Sequence, residues 1–254
     1  MRKLTLLAAA AALMTATPAA AEGYLGVQYN DVDEEVFGLD VENESWKAEG
    51  AWGWNNGNWG AQVGAAFGSV DTSGGDEDYT TLEGHLYWQS GSWRVGGFAT
   101  NWDFASQQEN AYGVEGMYDF GEQWNVSASY AVGDSDVITD LDTTYALLGG
   151  NFYLTPDVRF GVNIGQGEIE STGGTADLES YGLNTEFKLW SAPVSVTLAY
   201  DHFETDDPAP FTFGSDVVQV GARWNFGGGT LRERNNATPF EAMTHWGARL
   251  IGTY

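Results

Sequence analysis

Nine charged residues fall in the polar phase of short stretches whose other phase is apolar, and they are the groups best placed to do chemistry. Arg94, Arg159, Lys188 and Arg223 are the basic members; Glu49, Glu83, Glu115, Asp119 and Glu186 are the acidic ones. If those stretches are strands, residues at every second position share one face. Charges gathered on an inner face could form a constriction that sorts solutes by charge. They could equally pair across neighbouring strands and brace the wall. Folding the hairpins about their connections sets Arg159 nearly opposite Glu186 and Arg94 nearly opposite Asp119. The two uses are compatible, and the sequence leaves both open.

Other chemistry finds little support. The chain has three histidines, His85, His202 and His245, and no Gly-x-Ser-x-Gly motif. No nucleophile, base and orienting group can be assembled from them, so no catalytic residue is assigned and the chain is read as a non-enzyme. No cofactor is expected. Asp134-Ser135-Asp136 resembles the start of a calcium loop, but the sixth position is Thr139 rather than Gly and the twelfth is Tyr145 rather than Glu, so no metal site is assigned. The absence of cysteine excludes disulfides and thiolate chemistry. A formal net charge of −26 argues against nucleic acid as a partner.

The elements that must position these residues show a regular rhythm. Alternating stretches run over 22–30, 45–54, 58–70, 79–89, 92–103, 111–120, 123–133, 143–154, 157–167, 178–190, 193–203 and 216–226. Tight connections, at Asn55-Asn56-Gly57, Ser90-Gly91, Gly121-Glu122, Thr155-Pro156 and Ser191-Ala192, alternate with long acidic ones near 31–44, 71–78, 104–110, 134–142, 168–177 and 204–215. An even number of strands with short turns at one rim and loops at the other describes a barrel that crosses a bilayer. The prediction is an all-β, antiparallel, up-and-down transmembrane β-barrel of twelve strands.

Face assignment follows the period of two. Val158, Phe160, Val162 and Ile164 oppose Arg159, Gly161 and Asn163; Val218, Val220, Ala222, Trp224 and Phe226 oppose Gln219, Gly221, Arg223 and Asn225. The apolar phase suits lipid and the polar phase a wet lumen. Small lumen-phase residues, Gly60, Gly64, Gly96, Ser127, Ser129, Gly149 and Gly161, favour an open bore. Trp54, Trp59, Trp88, Trp93, Trp124, Trp190 and Trp224 lie near tight turns or the last strand end, as a ring of indoles at one membrane interface would.

The first residues pair Arg2 and Lys3 with an apolar run from Leu4 to Met14 and a small-residue stretch ending at Ala21. That is the layout of a secretory signal peptide over 1–21, leaving a barrel over 22–226 and a polar C-terminal tail over 227–254.

The signal, the hairpin rhythm and the closing strand Val217-Val218-Gln219-Val220-Gly221-Ala222-Arg223-Trp224-Asn225-Phe226 together resemble the small porin-like outer-membrane β-barrels of Gram-negative bacteria. The resemblance covers about 22–226. It implies residence in the cell outer membrane, among outer-membrane lipids and lipopolysaccharide, and handling by the barrel-assembly machinery, which reads an alternating final strand ending in an aromatic residue. It also implies passive diffusion of small hydrophilic solutes, with a cation preference from the acidic outer connections. The alternative is a non-conducting structural or surface-interaction barrel. One departure stands out. Such chains usually stop at the terminal Phe, whereas here Gly227-Gly228-Gly229 and a tail with Arg232, Arg234 and Arg249 run on to Tyr254. A fourteen-strand count stays open.

Overall fold

A backbone ladder that leaves no edge unpaired organises the molecule. The computed structural model describes residues 21–36, 39–72, 75–104, 107–135, 141–171, 174–206, 213–227 and 229–240. The first 20 residues, read above as part of a signal peptide, and the tail beyond residue 240, with His245, Arg249 and Tyr254, lie outside the described residues. Twelve strands follow in chain order: β1 (Ala21–Val36), β2 (Leu39–Asn56), β3 (Trp59–Thr72), β4 (Gly75–Ser90), β5 (Trp93–Phe104), β6 (Gln107–Phe120), β7 (Trp124–Ser135), β8 (Leu141–Thr155), β9 (Val158–Ser171), β10 (Gly174–Lys188), β11 (Val194–Asp206) and β12 (Phe213–Phe226). Each pairs antiparallel with its sequence neighbours, and β12 returns to β1, from Gly23 opposite Phe226 to Val36 opposite Phe213. The barrel is closed at twelve strands, and the described part of the tail adds one short helix, α1 (Leu231–Ala237).

At one rim the turns are tight. Gly57, Gly91 and Gly121 hold φ of 63°, 57° and 69°, a left-handed backbone that glycine adopts without a Cβ clash. At the other rim the structure corrects the sequence reading. The strands run on through most of the stretches read as long loops, so only two residues separate β1 from β2, β3 from β4, β5 from β6 and β9 from β10. The two longer connections, 136–140 and 207–212, lie outside the described residues. The reason is that a hydrogen-bonded ladder does not need lipid on its outer face to continue.

The outer face changes solvent partway along each strand, and the inner face changes with it. In β1, Leu25, Val27 and Tyr29 are exposed outward while Gln28 and Asn30 are buried inward. Beyond Tyr29 the outer face turns polar: Asp31, Asp33 and Glu35 are exposed outward, while Val32 is buried inward beside Glu34, which accepts a hydrogen bond from Asn43 at 2.9 Å. The same reversal sets Leu178 inward between outward Asp177 and Glu179, Trp102 inward beside outward Asp103, and Phe203 inward beside outward Glu204. Within the bilayer an apolar outer surface is solvated by lipid and the lumen carries the polar groups. Above it the wall meets water, and the hydrophobic effect drives apolar side chains into the barrel. The longest strand, β2, has 18 residues, or about 60 Å of chain at ~3.4 Å per residue. That far exceeds what an apolar band of about 25 Å requires even of a tilted strand.

Two aromatic belts bound the band. Trp54, Trp59, Trp88, Trp93, Trp124, Trp190 and Trp224 are exposed at the tight-turn rim. At the far side Tyr29 pairs with Trp46, and Tyr112, Tyr130 and Tyr181 are exposed on β6, β7 and β10. Rings with a polar atom favour that depth.

Two substitutions test this division. Val162→Arg, outward at mid-band, should destabilise the barrel by about 2–4 kcal/mol in bilayer unfolding titrations, with Asn163→Arg on the inner face far milder. Phe203→Ala, in the overhang, should cost about 3–5 kcal/mol by the same titration, because it empties a packed apolar site.

Candidate functional site: the lumen and its inner closure

The inner face at bilayer depth carries interlocked charges. Glu186 on β10 is fully buried and is the centre of the network. It accepts hydrogen bonds from Ser195 Oγ at 2.5 Å, from Arg223 at 3.2 Å and from both terminal nitrogens of Arg234 at 2.7 and 2.8 Å, with Arg159 at 3.8 Å. Arg223 turns its other edge to Glu49 at 2.7 Å, and Lys47 reaches the same carboxylate at 3.2 Å. Arg94 meets Asp119 at 2.6 Å and donates to Asn236 at 3.2 Å. Lys188 donates to the Gly229 carbonyl. Across the lumen, His85 Nδ1 lies 2.9 Å from Glu115 and its Nε2 lies 3.8 Å from Glu83. Of the nine residues singled out in the sequence, Arg94, Arg159, Arg223, Glu49, Asp119 and Glu186 stand in ion pairs, Glu83 and Glu115 face His85, and Lys188 donates to a backbone carbonyl.

Between the walls lies a cavity of about 220 Å³, lined by Gln28, Lys47, Glu83, Asn163, Asn184 and Gln219 among others. The bore is not open throughout. On its outer side, Phe98, Ala131, Tyr145, Leu178 and Phe203 form one buried apolar cluster, and Val70, Tyr79 and Trp102 form a second. Phe203 is 0% exposed and Leu178 1%, which a water-filled pore would not allow. The small lumen residues that favour an open bore are therefore only part of the inner face.

On its inner side the cavity is closed by the tail. After β12, Gly227 and Gly229 take φ of 94° and 80° and turn the chain back into the barrel. Helix α1 follows under a capping box: Glu233 N donates to Thr230 Oγ1 at 3.2 Å, and Thr230 N donates to Glu233 at 2.7 Å. A helix of seven residues is marginal alone; docking holds this one. Leu231 N donates to Asp157 at 3.0 Å, Arg232 to the Gly121 carbonyl at 2.8 Å, and Asn235 to Tyr153 at 3.0 Å. Beyond the helix, Phe240 stacks on His85 at 5.9 Å, meets Tyr87 edge-on at 5.4 Å, and exchanges two backbone hydrogen bonds with the Gln62 side chain.

Sequence reading missed Lys47, although it lies two residues from Glu49 and so shares its face. It also missed Arg234, Phe240 and Gln62. Thr230-x-x-Glu233 was a visible helix start, but nothing local says where such a helix docks.

Glu186→Gln should cost about 3–5 kcal/mol in bilayer unfolding, because it removes the carboxylate charge that faces buried Arg234 and Arg159, while Arg223 keeps Glu49. Asp119→Asn, which affects Arg94 alone, should cost less.

No family model matches the chain, and no curated protein sequence matches it. Solved structures do. An outer-membrane channel from Pseudomonas putida F1 superposes with a TM-score of 0.59 at 14% identity, covering 83% of this chain and 97% of that one. The NanC porin superposes at 0.58 with 10% identity, covering 78% and 98%. The CymD monoaromatic hydrocarbon channel superposes at 0.54 with 10% identity, covering 84% and 92%. At these identities the likeness is one of fold. Together with the exposed apolar band and its belts, it gives this chain the closed β-barrel fold of those outer-membrane channels.

Proposed function

We propose that the barrel is a channel for passive diffusion of small hydrophilic solutes, captured here closed. One observation carries the reading: at bilayer depth the interior is polar, charged and hollow. A barrel serving only as a wall has no need to bury Glu186, Glu49, Arg223 and Arg159 around an empty space, since buried ion pairs contribute little net stability over apolar packing. The names of the superposable channels and porin support it, as transport rather than catalysis. In this reading Arg94, Arg159, Lys188 and Arg223, with Glu49, Glu83, Glu115, Asp119 and Glu186, line the path as well as brace it. The acidic outer wall, exposed at Asp31, Asp33, Glu42, Asp78, Asp177 and Glu204, gathers cations at the mouth. Lipopolysaccharide bridged to those carboxylates through divalent ions, and the barrel-assembly machinery, are the proposed partners. A second reading, a non-conducting structural barrel, draws on the apolar seal around Phe203.

Reversal potentials across a salt gradient test the channel. Cation preference at the mouth should be clear at low salt and fade as ionic strength brings the screening length to ~8–10 Å. Replacing Arg94, Arg159, Lys188 and Arg223 with Gln should raise cation selectivity at every salt concentration. Unchanged selectivity with lowered stability would assign those residues wholly to bracing, and absence of current under all conditions would leave the structural barrel.

A further inference from the structure

We propose that residues 229–240 are a releasable plug, so that the channel is held shut at its inner end by its own C-terminal segment. This rests on the channel reading above.

The wall is complete without the segment. The seam between β1 and β12 is hydrogen-bonded along its length, so the tail closes no gap in the sheet. It lies across the bore instead. One end is fixed at the turns after β6 and β8 by Arg232 on Gly121 and Leu231 on Asp157; the other reaches β3 and β4 at Gln62, His85 and Tyr87. Its connection to β12 runs through glycines with positive φ, where rotation meets no Cβ.

The wall is also shaped to receive it. Gly53 faces inward on β2, and a Cβ there would overlap the Ala237 carbonyl. Any larger residue at 53 would expel the segment from this position.

Withdrawal leaves the wall's ionic network paired, which separates a plug from a structural cap. Without Arg234, Glu186 keeps Ser195, Arg223 and Arg159. Without Asn236, Arg94 keeps Asp119. Without the Ala237 carbonyl, the Tyr87 hydroxyl still donates to Asn55 at 2.9 Å. Without Arg234, Asn225 still donates to Ser195 at 3.2 Å. Unpaired buried charge is what makes removal of one ionic partner costly, and here Glu186 and Arg94 each keep a charged partner; the neutral Gln62 and Tyr153, and Lys188 at the rim, exchange the segment's hydrogen bonds for water. What the segment leaves behind faces water once the end is open.

The test uses the full chain, which has no native cysteine. Thr238→Cys, within the plug and buried while it is seated, is made in the native background, in an Arg234→Gln/Phe240→Ala background that loosens the segment, and with Gly53→Leu, which changes the wall alone. Each is refolded into lipid vesicles and planar bilayers. Labelling by a water-soluble maleimide reports plug release, and current reports conduction. In both altered backgrounds labelling should accelerate at least tenfold over native, and the time spent conducting should rise once Phe203→Ala opens the outer apolar cluster as well. Labelling at the native rate in folded variants overturns the proposal. Failure of both variants to insert also overturns it, by making the segment a structural cap. Faster labelling with no current in any chain supports the movable segment and defeats the channel reading instead.

Discussion

Each strand of this barrel meets hydrocarbon along part of its outer face and water along the rest, and the arrangement of the interior follows from where that change occurs. In the band bounded by Trp54 and Tyr29, the outward Leu25 and Val27 are solvated by lipid, so burying apolar groups in the lumen brings no gain and the polar phase turns inward. Above Tyr29 the outward residues are Asp31, Asp33 and Glu35, and burial of Val32, Val217 and Phe203 becomes the favourable term. One uninterrupted ladder carries two opposite polarity patterns. The overhang is built like a small soluble barrel with its own core, set on a transmembrane barrel with a wet centre.

The charged lumen depends on that division. Glu186, Arg223, Glu49 and Arg94 are each matched by an opposite charge inside a space that excludes lipid. The tail uses the same network: Arg234 joins the carboxylate that already holds Arg159 and Arg223. A group added to a network that is complete without it can leave at lower cost than one whose departure strands a charge.

Much of the membrane-spanning wall was legible in the sequence because one face had to be apolar. Val158, Phe160, Val162 and Ile164 announce β9 by composition alone. The overhang was not legible by that rule. Asp31-Val32-Asp33 keeps the period of two, but its charge density reads as a loop when only apolar outward faces are counted. Arg159 opposite Glu186 and Arg94 opposite Asp119 follow from folding single hairpins, since register within a hairpin is local. Arg223 reaches Glu49 across the closing seam, 174 residues away in sequence, and Phe240 reaches Gln62 across 178. Those meetings depend on strand number, stagger and the path of the tail, which no short stretch of sequence encodes.

The polarity reversal is open to direct measurement. Single spin labels placed along β1 at Leu25, Val27, Asp31, Val32 and Asp33 report collision with lipid-soluble oxygen and with a water-soluble nickel complex. Labels at Leu25 and Val27 should meet oxygen, those at Asp31 and Asp33 the nickel complex, and that at Val32 neither. Nickel access at Val32 equal to that at Asp33 would mean the outer lumen is water-filled and contradict the account.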